Sequence, residues 1–271
     1  MSDHFLGPWT LISVGASFAF SSVFYYLHKE KKTELQKLKE IPNFQADQHL
    51  SKVLNASLDK RLHYVAVEGV VQAVGEPLAS QSTPRCYGVV QKVTTVERWK
   101  TWNDALKLWV SRTRNANADT SSVPFRLVQP GTYLNGVRVW VESPLEARGD
   151  YLEEVHGSVQ QADDGLLGAF VQGLSGERLA ALERREEMLR VGSNLTCFGE
   201  VILEHGDAIR LRPPRDGRAY LFVPGDYRSL IRRHENSASM WKGLTVLFGV
   251  TGSALLATFI YSALNKDSKR S

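Results

Sequence analysis

The sequence predicts an α+β protein: a mostly antiparallel sheet domain flanked by two transmembrane helices. Three observations carry that expectation. Uncharged runs occupy residues 5–27 and 243–264, near the two ends. Between them, segments rich in Val and Thr recur with alternating patterning. A few stretches with apolar residues three and four apart separate these strands. The expected organisation is a first transmembrane helix over residues 5–27, a membrane-adjacent domain over 28–240, a second helix over 243–264 and a short tail over 265–271.

The first run, FLGPWTLISVGASFAFSSVFYYL, is as long as a bilayer requires. Roughly 20 apolar residues in a helix cross the hydrocarbon core of about 30 Å, and only a helix satisfies its own backbone there. A cleaved signal peptide would need a basic start, a shorter apolar stretch and a small-residue cleavage site. Here no Lys or Arg precedes the run, bulky Tyr25 and Tyr26 border it, and the basic HKEKKTELQKLKE follows. That profile predicts an uncleaved anchor, with Trp9 and the two tyrosines suited to the interfaces. The polar helix after it should end at Ile41-Pro42, because the residue before a proline disfavours the helical region.

QHLSKVLNASLDK places Leu50, Val53, Leu54 and Leu58 on one helical face and predicts a short amphipathic helix. HYVAVEGVVQAVG and CYGVVQKVTTVERW predict strands, with GEPLASQSTPR as an irregular loop between them. In TWNDALKLWVSRTRNANADTSS the tryptophans suit a strand and the polar tail reads as a loop. PFRLV and GVRVWVESP return to strand patterning, and residues 145–173 are weakly patterned. SGERLAALERREEMLRVG favours a helix, capped by Ser175, with Arg178, Leu179, Leu182 and Met188 along a partial face and Gly192 closing it. NLTCFGEVILE and DAIRLRPP predict two strands around a turn at His205-Gly206-Asp207, with AYLFVP as a third. GDYRSLIRRHENSASMWKG begins a helix expected to continue unbroken into the second span.

The second run, GLTVLFGVTGSALLATFIYSAL, carries Gly249, Gly252 and Ala254, which thin one face and suit close helix association, against the alternative of plain lipid exposure. Ser253 and Thr258 can bond back to helix carbonyls. Two spans place both termini on one side of the membrane and the domain on the other. Charge leaves the side open, since Lys29, Lys31 and Lys32 compete with Lys266, Lys269 and Arg270.

The net charge of +4 is modest for 271 residues, and two cysteines exclude a disulfide-rich secreted scaffold. A Cys86–Cys197 bridge is a candidate cross-link, and Cys86 as a nucleophile is the less favoured alternative to a small core residue. No phosphate-binding Gly-rich loop, dinucleotide fingerprint, HExxH or GxSxG occurs. His49, His63, His156, His205 and His234 stand apart, without ligand spacing, so no catalytic, metal-binding or cofactor-binding residue is assigned. In RLRPPRDGR, Arg210 and Arg212 alternate with Ile209 and Leu211 and no aromatic residues interleave. A solvated strand face is therefore expected, and no nucleic acid partner. Sequons at Asn55 and Asn194 matter only in a glycosylating lumen.

The strings YVAVEGVV, GVVQKVTT, SVPFRL, SGE, EEMLRVGSNLTCFGEVIL, IRLRPP and SMWKGLTVLFGV, in that order and between two apolar runs, resemble the mitochondrial E3 ubiquitin protein ligase family, the mitochondria-anchored protein ligases. The resemblance covers the whole chain. It implies a multi-pass protein of the outer mitochondrial membrane, with both termini cytosolic and a BAM or GIDE-type domain in the intermembrane space. It also implies a role in ubiquitin or SUMO conjugation that affects mitochondrial dynamics and signalling. In that family a RING finger follows the second span and uses zinc to build the surface that grips a ubiquitin-conjugating enzyme. No Cys or His follows residue 234 here, so those ligands carry over onto no residue, and the conjugating enzyme is expected as a partner only through the missing ring. The implied partners of the chain itself are the membrane, through two spans, and a full-length ligase or a second copy. A non-enzymatic, membrane-tethered module that binds a lipid or a partner is the alternative.

Overall fold

A computed structural model describes residues 8–103, 105–132, 136–161, 177–204 and 208–267. They form two compact units, Met1–Ile41 with Arg228–Ser271, and Pro42–Tyr227.

The first unit is a pair of long helices. α1 runs Pro8–Glu40 and stops one residue before the Ile41-Pro42 step, as the proline dictates. The C-terminal helix, α3, runs Tyr227–Asp267 without a break, as expected from its start at GDYRSL. Among the described residues one helix is long and apolar enough to cross a membrane, the stretch Tyr227–Tyr261 of α3. By that measure one of the two transmembrane helices expected from the sequence is found. Residues 5–7 of the expected first span lie outside the described residues. The apolar part of α1 is diluted by Ser13, Ser17, Ser21 and Ser22, which lower its hydropathy.

The second unit is built mostly of strands. β1 (Asn43–Gln45) and α2 (Gln48–Ala56) lead into β2 (Arg61–Ala73). Asp47 caps α2 by accepting the Leu50 N–H at 3.1 Å, and Leu50 and Leu54 of the expected face are fully buried with Val53 half-buried, whereas Leu58, also expected on that face, lies beyond the helix end at Ala56 and is fully exposed. β3 (Leu78–Ala79), β4 (Tyr87–Asn103), β5 (Leu108–Ser122), β6 (Phe125–Val128), β7 (Arg138–Val141) and β8 (Glu153–Gln161) follow. β9 (Glu177–Arg190), β10 (Asn194–Leu203), β11 (Ile209–Arg212) and β12 (Leu221–Pro224) complete the unit.

One sheet has the order β1-β2-β6-β7-β11-β10-β12, and β10 also pairs with β2. The extra pairing closes β2-β6-β7-β11-β10 into a five-stranded barrel. Every pair in the ring is antiparallel except β7–β11, which is parallel. This Greek-key closure is the architecture of OB-type barrels. Val65, Val67, Val71, Leu195, Cys197 and Val201 alternate inward from the long β2–β10 pair into a continuous apolar core.

The second sheet, β3-β4-β9-β8 with β5 also on β4, is wholly antiparallel. Its strands are inserted between barrel strands: β3 to β5 between β2 and β6, β8 and β9 between β7 and β10.

Three sequence expectations fail in this second sheet. GEPLASQSTPR, expected as an irregular loop, contains β3, which pairs with the start of β4. The segment expected as a helix from Ser175 is strand β9 over Glu177–Arg190, while Ser175 lies outside the described residues. Its Glu, Arg, Leu and Ala favour a helix locally, but β9 lies between β4 and β8 and forms ladders with both. Cross-strand ion pairs Arg98–Glu183 (2.6 Å) and Lys92–Glu187 (3.7 Å) then use its charges in a sheet. Gly192, expected to close a helix, instead takes φ +87 in the turn to β10, where its N–H donates to the Val71 carbonyl at 2.8 Å. The tail NANADTSS, expected as a loop, is the second half of β5, held as a strand by its ladder with β4. The turn expected at residues 205–207 lies outside the described residues.

Candidate functional site

The chemistry-bearing residues do not converge on one point. Cys197 lies in the middle of β10, fully buried inside the barrel, and burial pushes its thiol well above the usual range. Cys86 precedes β4 in the other sheet, half-buried, beside a cleft of about 900 Å³ that Arg85, Tyr87, Glu153 and Arg190 also line. Both are free thiols, so the candidate Cys86–Cys197 bridge is not formed: one thiol is sealed in the barrel core, the other lies on the inserted sheet.

Two carboxylates are buried in this unit. Glu200 on β10 is 1% exposed and meets Arg212 at 3.2 Å and Arg61 at 3.4 Å. Burial pushes its carboxyl up, but the Arg212 hydrogen bond and the charges of Arg212, Arg61 and Arg215 together hold it below the usual range. Glu186 on β9 is equally buried, and its Oε1 accepts from Gln91 Nε2 at 2.7 Å and from the Gln81 N–H at 3.0 Å. Both carboxylates tie strands and loops of the domain together.

The basic run behaves as a structural face. Arg210 pairs with Glu142 (2.8 Å) and Glu204 (2.7 Å), and Arg212 with Glu200. Arg218 pairs with Asp216 and lies over the Tyr64 ring at 4.3 Å. Among the described residues no group of three or more His, Cys, Asp or Glu is arranged to hold a metal ion.

The helix pair is the most specific constellation. Phe24 stacks on Trp241 with ring centroids 5.7 Å apart, and Phe20 and Phe24 flank Phe248 at 5.7 and 5.3 Å. The Ser21 hydroxyl donates to the Thr245 carbonyl at 3.0 Å, and His28 Nδ1 lies 2.9 Å from the Ala238 carbonyl. Lys39 and Glu235 form an ion pair at 2.6 Å. Gly249 and Gly252 are turned toward α1: a Cβ at Gly249 would lie 3.4 Å from Ser21 Oγ, and one at Gly252 3.2 Å from Ser17 Cβ. The close approach available at these glycines is therefore used within the chain, while Ala254 is exposed and off that face. Ser253 and Thr258 bond back to the Gly249 and Leu255 carbonyls, each at 2.8 Å.

One surface cluster was not singled out from the sequence. At the β4–β5 turn, Trp102 and Trp109 pack edge to face at 5.5 Å, and Leu106 and Leu108 are exposed beside them. The signal was present as two Trp residues flanking NDALK, but it becomes meaningful only once the hairpin pairs Trp102 with Trp109.

Against known proteins, the family model described as "GIDE: E3 Ubiquitin ligase" matches residues 94–257. "Mitochondrial ubiquitin ligase activator of nfkb 1-A" of Danio rerio is 38% identical over 246 residues, 91% of this chain and 71% of that protein. "Mitochondrial ubiquitin ligase activator of NFKB 1" of Homo sapiens is 33% identical over 249 residues, 90% of this chain and 69% of that protein. "Mitochondrial E3 ubiquitin protein ligase 1" of Drosophila melanogaster is 29% identical over 248 residues, 90% of this chain and 69% of that protein. No solved structure matches.

Proposed function

Since the chain belongs to the GIDE-type E3 ubiquitin ligase family, we propose that its 271 residues are the anchoring and membrane-adjacent part of a mitochondrial ubiquitin ligase. Both α1 and α3 cross the outer mitochondrial membrane, both termini are cytosolic, and residues 42–227 lie in the intermembrane space. The observation that carries the two-span reading is the fit between α1 and α3. Aromatic stacking, the Ser21–Thr245 hydrogen bond and the glycines at 249 and 252 cover the weakly apolar side of α1. α3 pairs the Ser21 hydroxyl, and Ser17 bonds back to the Ser13 carbonyl of its own helix at 2.8 Å, so neither hydroxyl meets lipid unpaired.

The domain then recognises substrates or partners, and ubiquitin or SUMO transfer to mitochondrial fission and fusion factors and signalling adaptors is the process it serves. The conjugating enzyme and zinc belong to a ring outside the residues described above, and the domain takes no nucleic acid.

Protease added to intact mitochondria is expected to trim a C-terminal tag and leave residues 42–227 protected. Digestion of the domain without membrane rupture overturns the topology. Deleting the gene is expected to lower ubiquitin conjugates on outer-membrane proteins, and an unchanged conjugate pattern rejects the ligase reading.

A further inference from the structure

We propose that the β4–β5 hairpin tip is a second membrane contact, a shallow insertion into the interface of an anionic bilayer. The tip is apolar and open: Leu106 is 63% exposed, Leu108 47%, and the Trp102–Trp109 pair is exposed beside them. A contiguous apolar patch with a polar rim marks an interaction surface. The rim here is basic. Lys100, Lys107 and Arg112 lie on the hairpin near its end, and residues 97–114 carry five Lys and Arg against two acidic residues. Arg114, further along β5, is opposite Glu97 and lies over the Trp99 ring at 5.6 Å. Arg98 is already engaged by Glu183.

Trp, Leu and long basic side chains together are the chemistry of the bilayer interface. Indole rings settle at headgroup level, Lys and Arg stems lie along apolar surface with their charges at the phosphates, and anionic leaflets attract the cations. The turn is also built for poor hydration. Asn103 Oδ1 accepts the N–H groups of both Ala105 and Leu106 at 3.0 Å, so these donors enter the interface already paired.

Charge chooses the bilayer over a second copy of the chain. A symmetric contact between two tips would set Lys100, Lys107 and Arg112 of each against those of the other. The inference rests on the membrane anchoring proposed above, which holds the domain at a surface through both its ends and makes even a weak contact effective.

The test uses the full chain in vesicles, with Cys86→Ser removing the half-buried thiol and an environment-sensitive fluorophore on Leu106→Cys. Flotation with the vesicles reads anchoring on its own. In phosphatidylcholine–phosphatidylserine vesicles, nitroxide-labelled lipids are expected to quench the Leu106 probe strongly, while a probe on Ala118→Cys, further along β5, stays unquenched. High salt, or the triple variant Lys100→Glu, Lys107→Glu and Arg112→Glu with an unchanged melting temperature, is expected to remove most of the quenching. Vesicles of phosphatidylcholine alone are expected to give little. A floating chain with an unquenched Leu106 probe, quenching indifferent to charge reversal and salt, or Leu106→Cys cross-links between two chains overturns the inference. A chain left out of the floated vesicles overturns the anchoring and this inference with it.

Discussion

Glu200 shows how one buried charge holds a barrel seam. Its carboxylate is nearly water-free and meets two arginines, so Glu200→Ala leaves Arg61 and Arg212 with an unpaired charge at a partly solvated site. A loss on the order of 2 kcal/mol is expected by chemical denaturation in detergent. The folded carboxyl titrates below its unfolded value, so its stabilisation is full above the ordinary carboxylate range and disappears as pH falls through the folded value. Wild-type stability is therefore expected to fall below about pH 4, and Glu200→Gln to flatten that acid limb. An acid limb as steep in the variant would assign the dependence to other groups. Gly149 is the second sensitive position: its φ is +116, and an added Cβ would run into the Phe222 carbonyl, where β12 docks on residue 148. Gly149→Ala is expected to cost about 2 kcal/mol or more, read by the same titration.

At the scale of elements, β9 is a strand because of what lies on either side of it. Glu183→Lys sets a like charge against Arg98 and is expected to lower the melting temperature, and adding Arg98→Glu to restore part of the loss. Two independent losses would show that the residues do not face each other. In the membrane unit, Ser21→Cys and Gly249→Cys are expected to form a disulfide within one chain, since Ser21 Oγ lies 3.4 Å from the Gly249 Cβ position. Gly252→Leu, which drives a side chain into Ser17 and Phe18, is expected to lower that cross-linking yield sharply. Equal yield in both backgrounds would remove Gly252 from the helix contact.

At the scale of the whole molecule, the proposed division between an anchoring unit and a membrane-adjacent domain makes a prediction about activity. The 271 residues incubated with activating enzyme, several conjugating enzymes, ubiquitin and ATP are expected to form no ubiquitin chains above background. A ring ligase positions a loaded conjugating enzyme on a zinc-built surface, and a thioester route needs an accessible thiolate. Cys197 is sealed in the barrel, and Cys86→Ser in the same assay tests whether the half-buried second thiol contributes any transfer. Robust chain formation by the purified protein would reject this division.

The apolar runs, the unbroken C-terminal helix, α2 and seven strand segments from β2 to β12 were legible in the residues, because hydrophobic period and capping are local signals that survive folding. So was the mitochondrial ligase family, from strings such as EEMLRVGSNLTCFGEVIL. Barrel closure was not legible, because it depends on β10 finding β2 across more than a hundred residues of insertion. Nor was β9, whose helix-forming residues are overruled by ladders on both edges, nor the partner of Gly249 and Gly252, which proved to be the chain's own α1. Sequence determines what a segment prefers alone; pairing distant segments decides what it becomes, since each ladder and each buried face is completed by residues far along the chain.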